Sequence, residues 1–284
     1  DVYKRQVDDI TLTMSNGVYG LLGVNGAGKT TLMRMLCTLI KPTSGSILCD
    51  GKDIFALDGE YRRILGYLPQ EFGFYPEFSV HDYLMYIASI KGMRTSIARK
   101  RVTELLRQVG LAKMQNRKMK KLSGGMKRRA GIAQAMLNNP KILILDEPTA
   151  GLDPNERIRF RNLISELSQD RLVLLSTHIV SDIEYIANQV LLMKDGKISH
   201  SGTQEEIIQS VPVKVWSCVV ANNEVEMWQK QFKVSNMKTL SDGIELRILS
   251  EKSPHYNAKE ETMTLEDIFL YYFGEKTGDD YDVL

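Results

Sequence analysis

The chain has 284 residues, of which 43% are hydrophobic, so it is long enough to bury a large core and to divide into more than one domain. Its net charge of +2 gives no reason to expect a nucleic-acid partner. No apolar stretch of the sequence approaches the roughly 20 residues that span a bilayer, and Cys37, Cys49 and Cys218 are too scattered for a metal site or a disulfide framework.

The first six residues differ in character from the rest of the chain. Asp1-Val2-Tyr3-Lys4-Arg5-Gln6 reads like the translation of the transposon-end adapter that is used in sequencing libraries. We therefore expect residues 1–6 to be an assembly artefact upstream of a truncated gene, and the fold prediction omits them.

A glycine-rich loop follows the first predicted strand. Val18 to Leu22 has the pattern of a buried strand, Gly23 to Thr30 matches G-x-x-x-x-G-K-[ST], and Thr30 to Leu39 has the pattern of a helix. In this context the loop turns its amides toward a phosphate chain, Lys29 reaches the terminal phosphates and Thr30 offers its hydroxyl to magnesium. The loop predicts a site for ATP and Mg²⁺, with the nucleotide-binding residues Asn25, Gly26, Ala27, Gly28, Lys29, Thr30 and Thr31.

A mostly helical insertion is predicted between Gln70 and Ser123. Ser79 opens a capping box ahead of an apolar-rich helix that runs to Lys91. A second helix is predicted over 96–109 from its apolar period.

The end of this insertion has the features of an anion site. Ser123 can cap a helix that begins at Gly124, which leaves its hydroxyl and free amides aimed at an anion; a plain helix N-cap is the alternative. Basic clusters at 118–121 and 127–129 flank the cap. For them a solvated face is favoured over a role in attracting nucleotide or a permease.

An acid pair follows the next predicted strand. Ile142 to Leu145 is a run of four apolar residues typical of a strand buried on both faces, so Asp146 and Glu147 emerge at its carboxyl end. We expect Asp146 to hold the magnesium through water and Glu147 to polarise the attacking water. The alternative is a strand capped by two solvated acids.

The remaining pattern changes from core strands to a smaller α+β region. The apolar strand Leu172 to Thr177 precedes His178, and Lys194 to Lys197 has the pattern of a hairpin turn. Thr203 begins a short helix. Beyond it we expect two strands and a helix, at 213–220, 243–249 and 224–231.

Together these motifs resemble the nucleotide-binding subunits of ATP-binding cassette (ABC) transporters over roughly Val7 to Thr203. Leu122-Ser123-Gly124-Gly125-Met126 resembles the family signature, which ordinary P-loop kinases, GTPases and motor proteins do not carry. The resemblance implies an α/β fold, a P-loop NTPase of the ABC ATPase type with a helical subdomain insertion and a small C-terminal α+β appendix. The expected domains are an ABC ATPase domain at 7–210, with its helical subdomain at about 77–138, and an accessory domain at 211–284.

The resemblance also implies roles for individual residues. Ser123, Gly124 and Gly125 would bind the terminal phosphate of the ATP held by a second subunit, so that two chains, identical or different, close around two nucleotides. The implied catalytic residues are Glu147, His178 and Gln70; the implied metal site is Thr30, Gln70 and Asp146; the implied dimer-interface residues are Gly151, Leu152 and Asp153. The family stacks an aromatic residue on adenine near the N-terminus, but Tyr3 is not assigned to that role.

Four aromatic residues, Phe72, Phe74, Tyr75 and Phe78, crowd into a segment in which Gly73 and Pro76 oppose a regular helix. One interpretation is a hydrophobic plug that holds the helical insertion to the core. For the cluster as a whole we favour a docking surface, because a short loop can seldom bury every ring. In the family this region borders the groove that receives a cytoplasmic helix of the permease.

These observations predict the ATPase subunit of an exporter that works at the cytoplasmic face of the cell membrane with an integral-membrane permease on a separate chain. The segment Thr264 to Leu270 resembles the C-terminal helix of the branch that exports drugs, antibiotics, lipids or polysaccharides. The alternatives are a soluble ABC ATPase of translation or DNA repair and a module that binds ATP only to regulate a partner. The intact Glu147 and His178 argue against the second alternative.

Overall fold

The computed structural model describes residues 6–274. The expectations for Tyr3 and for the first five residues of the supposed adapter segment lie outside the described residues. The chain divides into two compact units, Asp1–Ser199 and His200–Leu284.

The elements of the first unit alternate between strands and helices, which is the order expected for a parallel sheet with crossover helices. In chain order they are β1 Gly17–Leu22, α1 Lys29–Leu36, β2 Leu48–Cys49, β3 Lys52–Asp53, α2 Ile54–Leu57, α3 Gly59–Ile64, β4 Leu65–Leu68, α4 Val80–Ile90, α5 Thr95–Gln108, α6 Gly124–Ala135, β5 Ile142–Asp146, α7 Pro154–Leu167, β6 Leu172–Thr177, α8 Val180–Ile186, β7 Gln189–Lys194 and β8 Lys197–Gly202.

Six of these strands form one sheet in the order β4-β5-β6-β1-β7-β8. The pairs from β4 through β7 are parallel, and their central residues are almost all buried because helices cover both faces. The turn between β7 and β8 has positive φ angles at both Asp195 and Gly196, as a two-residue hairpin turn requires. The α/β fold class inferred from the sequence is confirmed.

Helix α1 ends earlier than the sequence pattern predicted. The predicted range was Thr30 to Leu39, whereas the helix stops at Leu36. Thr38 adopts a left-handed backbone conformation with φ 57°, and the amide of Leu39 turns back to the carbonyl of Arg34 at 2.9 Å. This closing turn satisfies a carbonyl at the end of the helix and ends it while the sequence is still apolar.

The helical insertion consists of α4, α5 and α6, which pack against one another. Ser79 caps α4 by accepting a hydrogen bond from the amide of Asp82 at 3.0 Å, as predicted, whereas the reciprocal bond of a capping box is replaced by one from the Ser79 hydroxyl to Asp82 Oδ2 at 2.7 Å. Tyr83 is fully buried between the helices, where its hydroxyl contacts the side chain of Gln134 on α6 and donates to the carbonyl of Gly73 at 3.2 Å. The insertion is therefore tied to the segment that leaves β4.

The elements of the second unit are α9 Gln204–Ser210, β9 Lys214–Val220, α10 Val225–Gln231, β10 Lys233–Thr239, β11 Ile244–Ser250, β12 Lys259–Glu261 and α11 Leu265–Phe273. Its four strands form a sheet in the order β10-β11-β9-β12, in which neighbouring strands are antiparallel. Trp228 of α10 packs on the apolar residues of β9 and β11. Arg247 of β11 pairs with the buried Asp267 of α11 at 2.7 Å.

Candidate functional site

The predicted site residues follow the carboxyl ends of four neighbouring parallel strands. In the sheet register Leu68 of β4 pairs with Leu145 of β5, Leu145 with Leu175 of β6, and Thr177 of β6 with Leu22 of β1. The segments that continue from these strands carry Gln70, the acid pair, His178 and the glycine loop. Ligands of open α/β sheets bind at this edge, so the topology brings the separate sequence motifs to one place.

The glycine loop leaves β1 and ends where α1 begins. Gly26 and Gly28 have φ angles of 82° and 107°, a region that side chains disfavour. A Cβ at Gly28 would also collide with the carbonyl of Gln6 and with Met193. Because Gly28 is the N-cap of α1 and supplies no side-chain cap, the first amides of the helix are left for an anion. Within the predicted set, Asn25, Gly26 and Thr30 are exposed, Ala27, Gly28 and Lys29 are buried, and Thr31 is half-buried.

Lys29 lies inside this loop. Its Nζ donates to the carbonyls of Gly23 at 2.6 Å and Val24 at 3.2 Å, and it lies 3.8 Å from Glu147 Oε1. Burial lowers the pKa of Lys29, while the nearby carboxylates of Glu147 and Asp146 oppose that change. The ammonium group is therefore held by loop carbonyls beside the acid pair, in reach of a phosphate bound to the loop.

Asp146 has the environment of a cation ligand. Its Oδ1 accepts hydrogen bonds from Ser176 Oγ at 2.6 Å and from Thr30 Oγ1 at 3.4 Å. Its Oδ2 is buried and, within residues 6–274, has no hydrogen-bond partner. A buried carboxylate oxygen without a partner is costly, and a hard cation that binds oxygen ligands would satisfy it. Asp146 and Thr30 therefore fit a magnesium ion.

Glu147 connects three parts of the site. Its Oε2 lies 3.0 Å from His178 Nδ1, its Oε1 faces Lys29, and its amide donates to Ser176 Oγ at 3.0 Å. Its φ angle is 46°, a left-handed conformation that costs on the order of 1 kcal/mol for a residue with a side chain. The contacts with His178, Lys29 and Ser176 offset this strain and hold the carboxylate in place.

Gln70 lies two residues beyond β4 and is exposed. Within the described part of the chain, no hydrogen bond joins its side chain to Asp146 or Glu147. The adjacent carbonyl of Pro69 accepts a hydrogen bond at 3.3 Å from the half-buried Arg128 of α6. Burial lowers the pKa of Arg128, and Asp146 and Glu147 oppose that change, which places the guanidinium in the field of the acid pair.

Ser123 caps α6, as its position before Gly124 predicted. Its Oγ accepts a hydrogen bond from the amide of Met126 at 3.2 Å, and both Ser123 and Gly124 are exposed. Gly125 is buried, and a Cβ there would lie 2.5 Å from Glu156 Oε2. In the stretch from residue 6 to residue 274, no hydrogen bond or ion pair joins this cap to the glycine loop of the same chain.

Comparison with known proteins decides the family. The model of the ABC transporter family matches residues 7–150. The chain is 39% identical over 216 residues to the uncharacterized ABC transporter ATP-binding protein YxlF of Bacillus subtilis, covering 76% of this chain and 71% of that protein. The chain belongs to the ABC transporter family. It is a nucleotide-binding subunit of that family, which is a class of ATPase.

Two further ABC proteins are similar to the chain. The bacitracin transport ATP-binding protein BcrA of Bacillus licheniformis is 40% identical over 198 residues, which cover 69% of this chain and 64% of BcrA. The solved dimeric structure of MJ0796, a bacterial ABC transporter cassette, matches with a TM-score of 0.63 and 26% identity over 70% of this chain and 90% of that one. MJ0796 has also been solved in a post-hydrolysis state with ADP and Pi.

The residues predicted for the dimer interface of this ABC subunit lie between β5 and α7. Gly151 and Asp153 are exposed, whereas Leu152 is buried. Asp153 caps α7 by accepting a hydrogen bond from the amide of Glu156 at 2.9 Å. The side chain of Glu156, in the first turn of α7, lies 3.3 Å from Arg129 of α6, so these two helices are joined. The sequence analysis did not identify this contact, and nothing in the spacing of the two residues indicates it.

The aromatic segment divides into two parts. Phe72 lies 6.0 Å from Phe74 between ring centroids, and it packs against Gly131 of α6. Tyr75 and Phe78 stack at 5.0 Å, and Tyr86 of α4 packs edge-on against both rings. Phe72 thus packs on α6, while Tyr75 remains 48% exposed.

Ser176 is a site residue that sequence reasoning missed. It is fully buried, and its hydroxyl joins Asp146 Oδ1 to the amide of Glu147. The available signal was a serine in an otherwise apolar strand that runs parallel to the strand of the acid pair, in register with Asp146.

Among the described helices, none combines the length and the apolar character needed to cross a membrane.

Proposed function

We propose that this ABC subunit powers export by a separate integral-membrane permease, from the cytoplasmic face of the cell membrane. The observation that carries the proposal is the carboxylate of Glu147, which lies beside the glycine loop between Lys29 and His178. This arrangement suits phosphoanhydride hydrolysis. The similarity to BcrA, a bacitracin transport ATP-binding protein, supports the transport role.

The hydrolytic step follows from the position of Glu147. Its carboxylate accepts the proton of the attacking water at Oε2 or Oε1, while His178 Nδ1 holds Oε2 in place at 3.0 Å. Thr30 and Asp146, with Gln70 at the neighbouring strand end, would hold Mg²⁺. When bound, the metal ion supplies charge neutralisation at the terminal phosphates. Lys29 holds the same phosphates from the other side.

Two subunits complete the site in this proposal. Ser123, Gly124 and Gly125 present a helix N-terminus that is not used by the glycine loop of the same chain, and exposed amides at such a terminus favour a phosphate. The second chain brings its own signature to this ATP, with Gly151, Leu152 and Asp153 at the interface. The dimeric structure of MJ0796 supports this arrangement.

Contact with the permease is proposed for the aromatic segment of Phe72, Phe74, Tyr75 and Phe78. Within it, Tyr75 and Phe78 are the exposed and half-exposed rings that can reach a partner helix. Glu71 alone separates Gln70 from Phe72, and on the other side of Gln70 the carbonyl of Pro69 accepts a hydrogen bond from Arg128 of α6 at 3.3 Å. A change at the terminal phosphate can therefore move the docking rings and the signature together.

The test is co-purification of the subunit with an integral-membrane permease from native membranes. Tyr75→Ala is expected to weaken permease binding at least about fivefold, because aromatic anchors at interface centres are worth 1 kcal/mol or more. Tyr256→Ala, which removes an 87% exposed tyrosine from the second unit, is the matched control and is expected to retain binding. Full retention by Tyr75→Ala, with normal ATP binding, would contradict the docking role.

A further inference from the structure

The charge of the chain is strongly segregated. Residues 71–129 contain fourteen lysine and arginine residues against four acids, a net charge of +10, so the rest of the chain carries −8 of the total of +2. Residues 200–284 alone contain eight basic residues against fifteen acids. The nearly neutral total therefore conceals a strongly basic helical insertion.

The aromatic segment and a basic segment form one surface within this insertion. Residues 76–81 run antiparallel to residues 115–120: Val80 N donates to Arg117 O at 3.0 Å, Met119 N to Phe78 O at 2.9 Å, and Lys120 N to Pro76 O at 3.1 Å. An isolated bridge joins Ser79 and Lys118 in the middle. We call the exposed side of this pair the aromatic-basic face; its residues are Tyr75, Tyr86, Lys118, Lys120 and Lys121.

Burial along the basic segment shows which side chains point outward. Met119 is fully buried, whereas its neighbours Lys118 and Lys120 have about half of their side chains exposed at 50% and 49%. Both lysines contact the single carboxylate of Glu77, at 2.7 and 2.5 Å. Glu77 can therefore neutralise only one of the two lysine charges. The adjacent Lys121 makes no ion pair with any residue that the structure describes.

The rings of this face point to a lipid surface rather than to a nucleic acid. Tyr75 stacks on Phe78 and Tyr86 packs edge-on against both rings, so each ring is engaged by its neighbours, while the two tyrosine hydroxyls, 3.2 Å apart, are exposed. Exposed tyrosines beside lysines are instead the combination that favours a membrane interface.

We propose that the aromatic-basic face binds the anionic phospholipid headgroups of the leaflet that surrounds the permease. The inference rests on the proposed position of the subunit at a membrane. The lysines contact headgroup phosphates, and the tyrosine hydroxyls lie at the same level beside the docked permease helix. The net charge of +10 on residues 71–129 attracts the free subunit to the anionic bilayer before it meets the permease.

Vesicle flotation of the full chain, without permease or nucleotide, tests the proposal. The chain is expected to bind vesicles of phosphatidylcholine that contain about one third phosphatidylglycerol. Binding to vesicles of pure phosphatidylcholine is expected to be weak, and binding to the anionic vesicles is expected to fall in high salt. Each lysine near the surface contributes about a fivefold factor, so Lys118→Gln/Lys120→Gln/Lys121→Gln is expected to weaken binding about a hundredfold.

The control is Lys230→Gln/Lys238→Gln/Lys252→Gln, which removes the same charge from exposed positions of the second unit and is expected to keep most of the binding. Equal loss in both triple variants, equal binding to neutral vesicles, or a preference for a DNA oligonucleotide over the anionic vesicles at the same salt would overturn the proposal. If the first triple variant misfolds, Lys121→Gln alone is expected to weaken binding about fivefold, and full binding by it would overturn the proposal. ATPase activity of the same preparation reports the proposed function separately.

Discussion

Removal of the Ser176 hydroxyl probes how the acid pair is positioned. In Ser176→Ala the amide of Glu147 loses its acceptor in a fully buried place, and Asp146 Oδ1 loses its shortest hydrogen bond. An unsatisfied buried donor costs about 1–3 kcal/mol, and a hydrogen bond to a charged acceptor contributes about 1.5–3 kcal/mol. The two effects share one hydroxyl, so the free energy of unfolding is expected to fall by about 3 kcal/mol.

Three measurements are combined: the free energy of unfolding from urea denaturation, the hydrogen exchange of the β5 and β6 amides, and steady-state ATPase kinetics. Turnover is expected to fall at least about tenfold, because Glu147 and Asp146 are both displaced, while ATP affinity, which depends on the glycine loop, changes less. Ser199→Ala, which removes an exposed hydroxyl from β8 of the same sheet, is the matched control and is expected to cost less than about 1 kcal/mol. Equal small effects in both variants would refute the positioning role of Ser176.

Two further outcomes are expected. Glu147→Gln should keep ATP affinity but lower turnover about a hundredfold or more, since the amide cannot accept the proton of water; equal hydrolysis by variant and parent would exclude Glu147 as the base. Burial alone would raise the pKa of Asp267, but hydrogen bonds from Arg247, Thr264 and Ser235 outweigh it and hold the pKa below the ordinary carboxyl range. The stabilisation is therefore present above about pH 4 and is lost as the pH falls through the lowered folded-state pKa. Asp267→Asn should remove this pH dependence and lower the free energy of unfolding by about 3 kcal/mol at neutral pH. Both tryptophans, Trp216 and Trp228, lie in the second unit, so tryptophan fluorescence reports the unfolding of that unit. An acid transition that is the same in variant and parent would contradict the assignment.

The predictable part of the fold follows from local rules. The glycine loop, the buried apolar strands and the Ser79 and Ser123 caps each have a short sequence pattern with one physical cause. Because the strands are parallel neighbours in one sheet, their carboxyl ends lie at the same edge of that sheet. The motifs that are far apart in sequence are therefore predictable as one site.

The parts that sequence reasoning missed depend on tertiary contacts. Strands β10 and β12 are polar and half-exposed or exposed, so they lack the alternation that marks a half-buried strand. Ser176 and the pair of Glu156 with Arg129 join residues on different elements, and only the packing of those elements brings them together. The left-handed Thr38 that ends α1 has no glycine or proline to indicate it.

The central claim is that each ATP site is shared by two chains, and mixing two inactive variants tests it most directly. Lys29→Ala removes the phosphate contact of the glycine loop, and Ser123→Arg blocks the signature, so each homodimer has two defective sites. A heterodimer of the two variants contains one intact site. The account predicts that mixing the two proteins restores part of the ATPase activity; no recovery after demonstrated exchange of subunits would show that the site is contained within one chain.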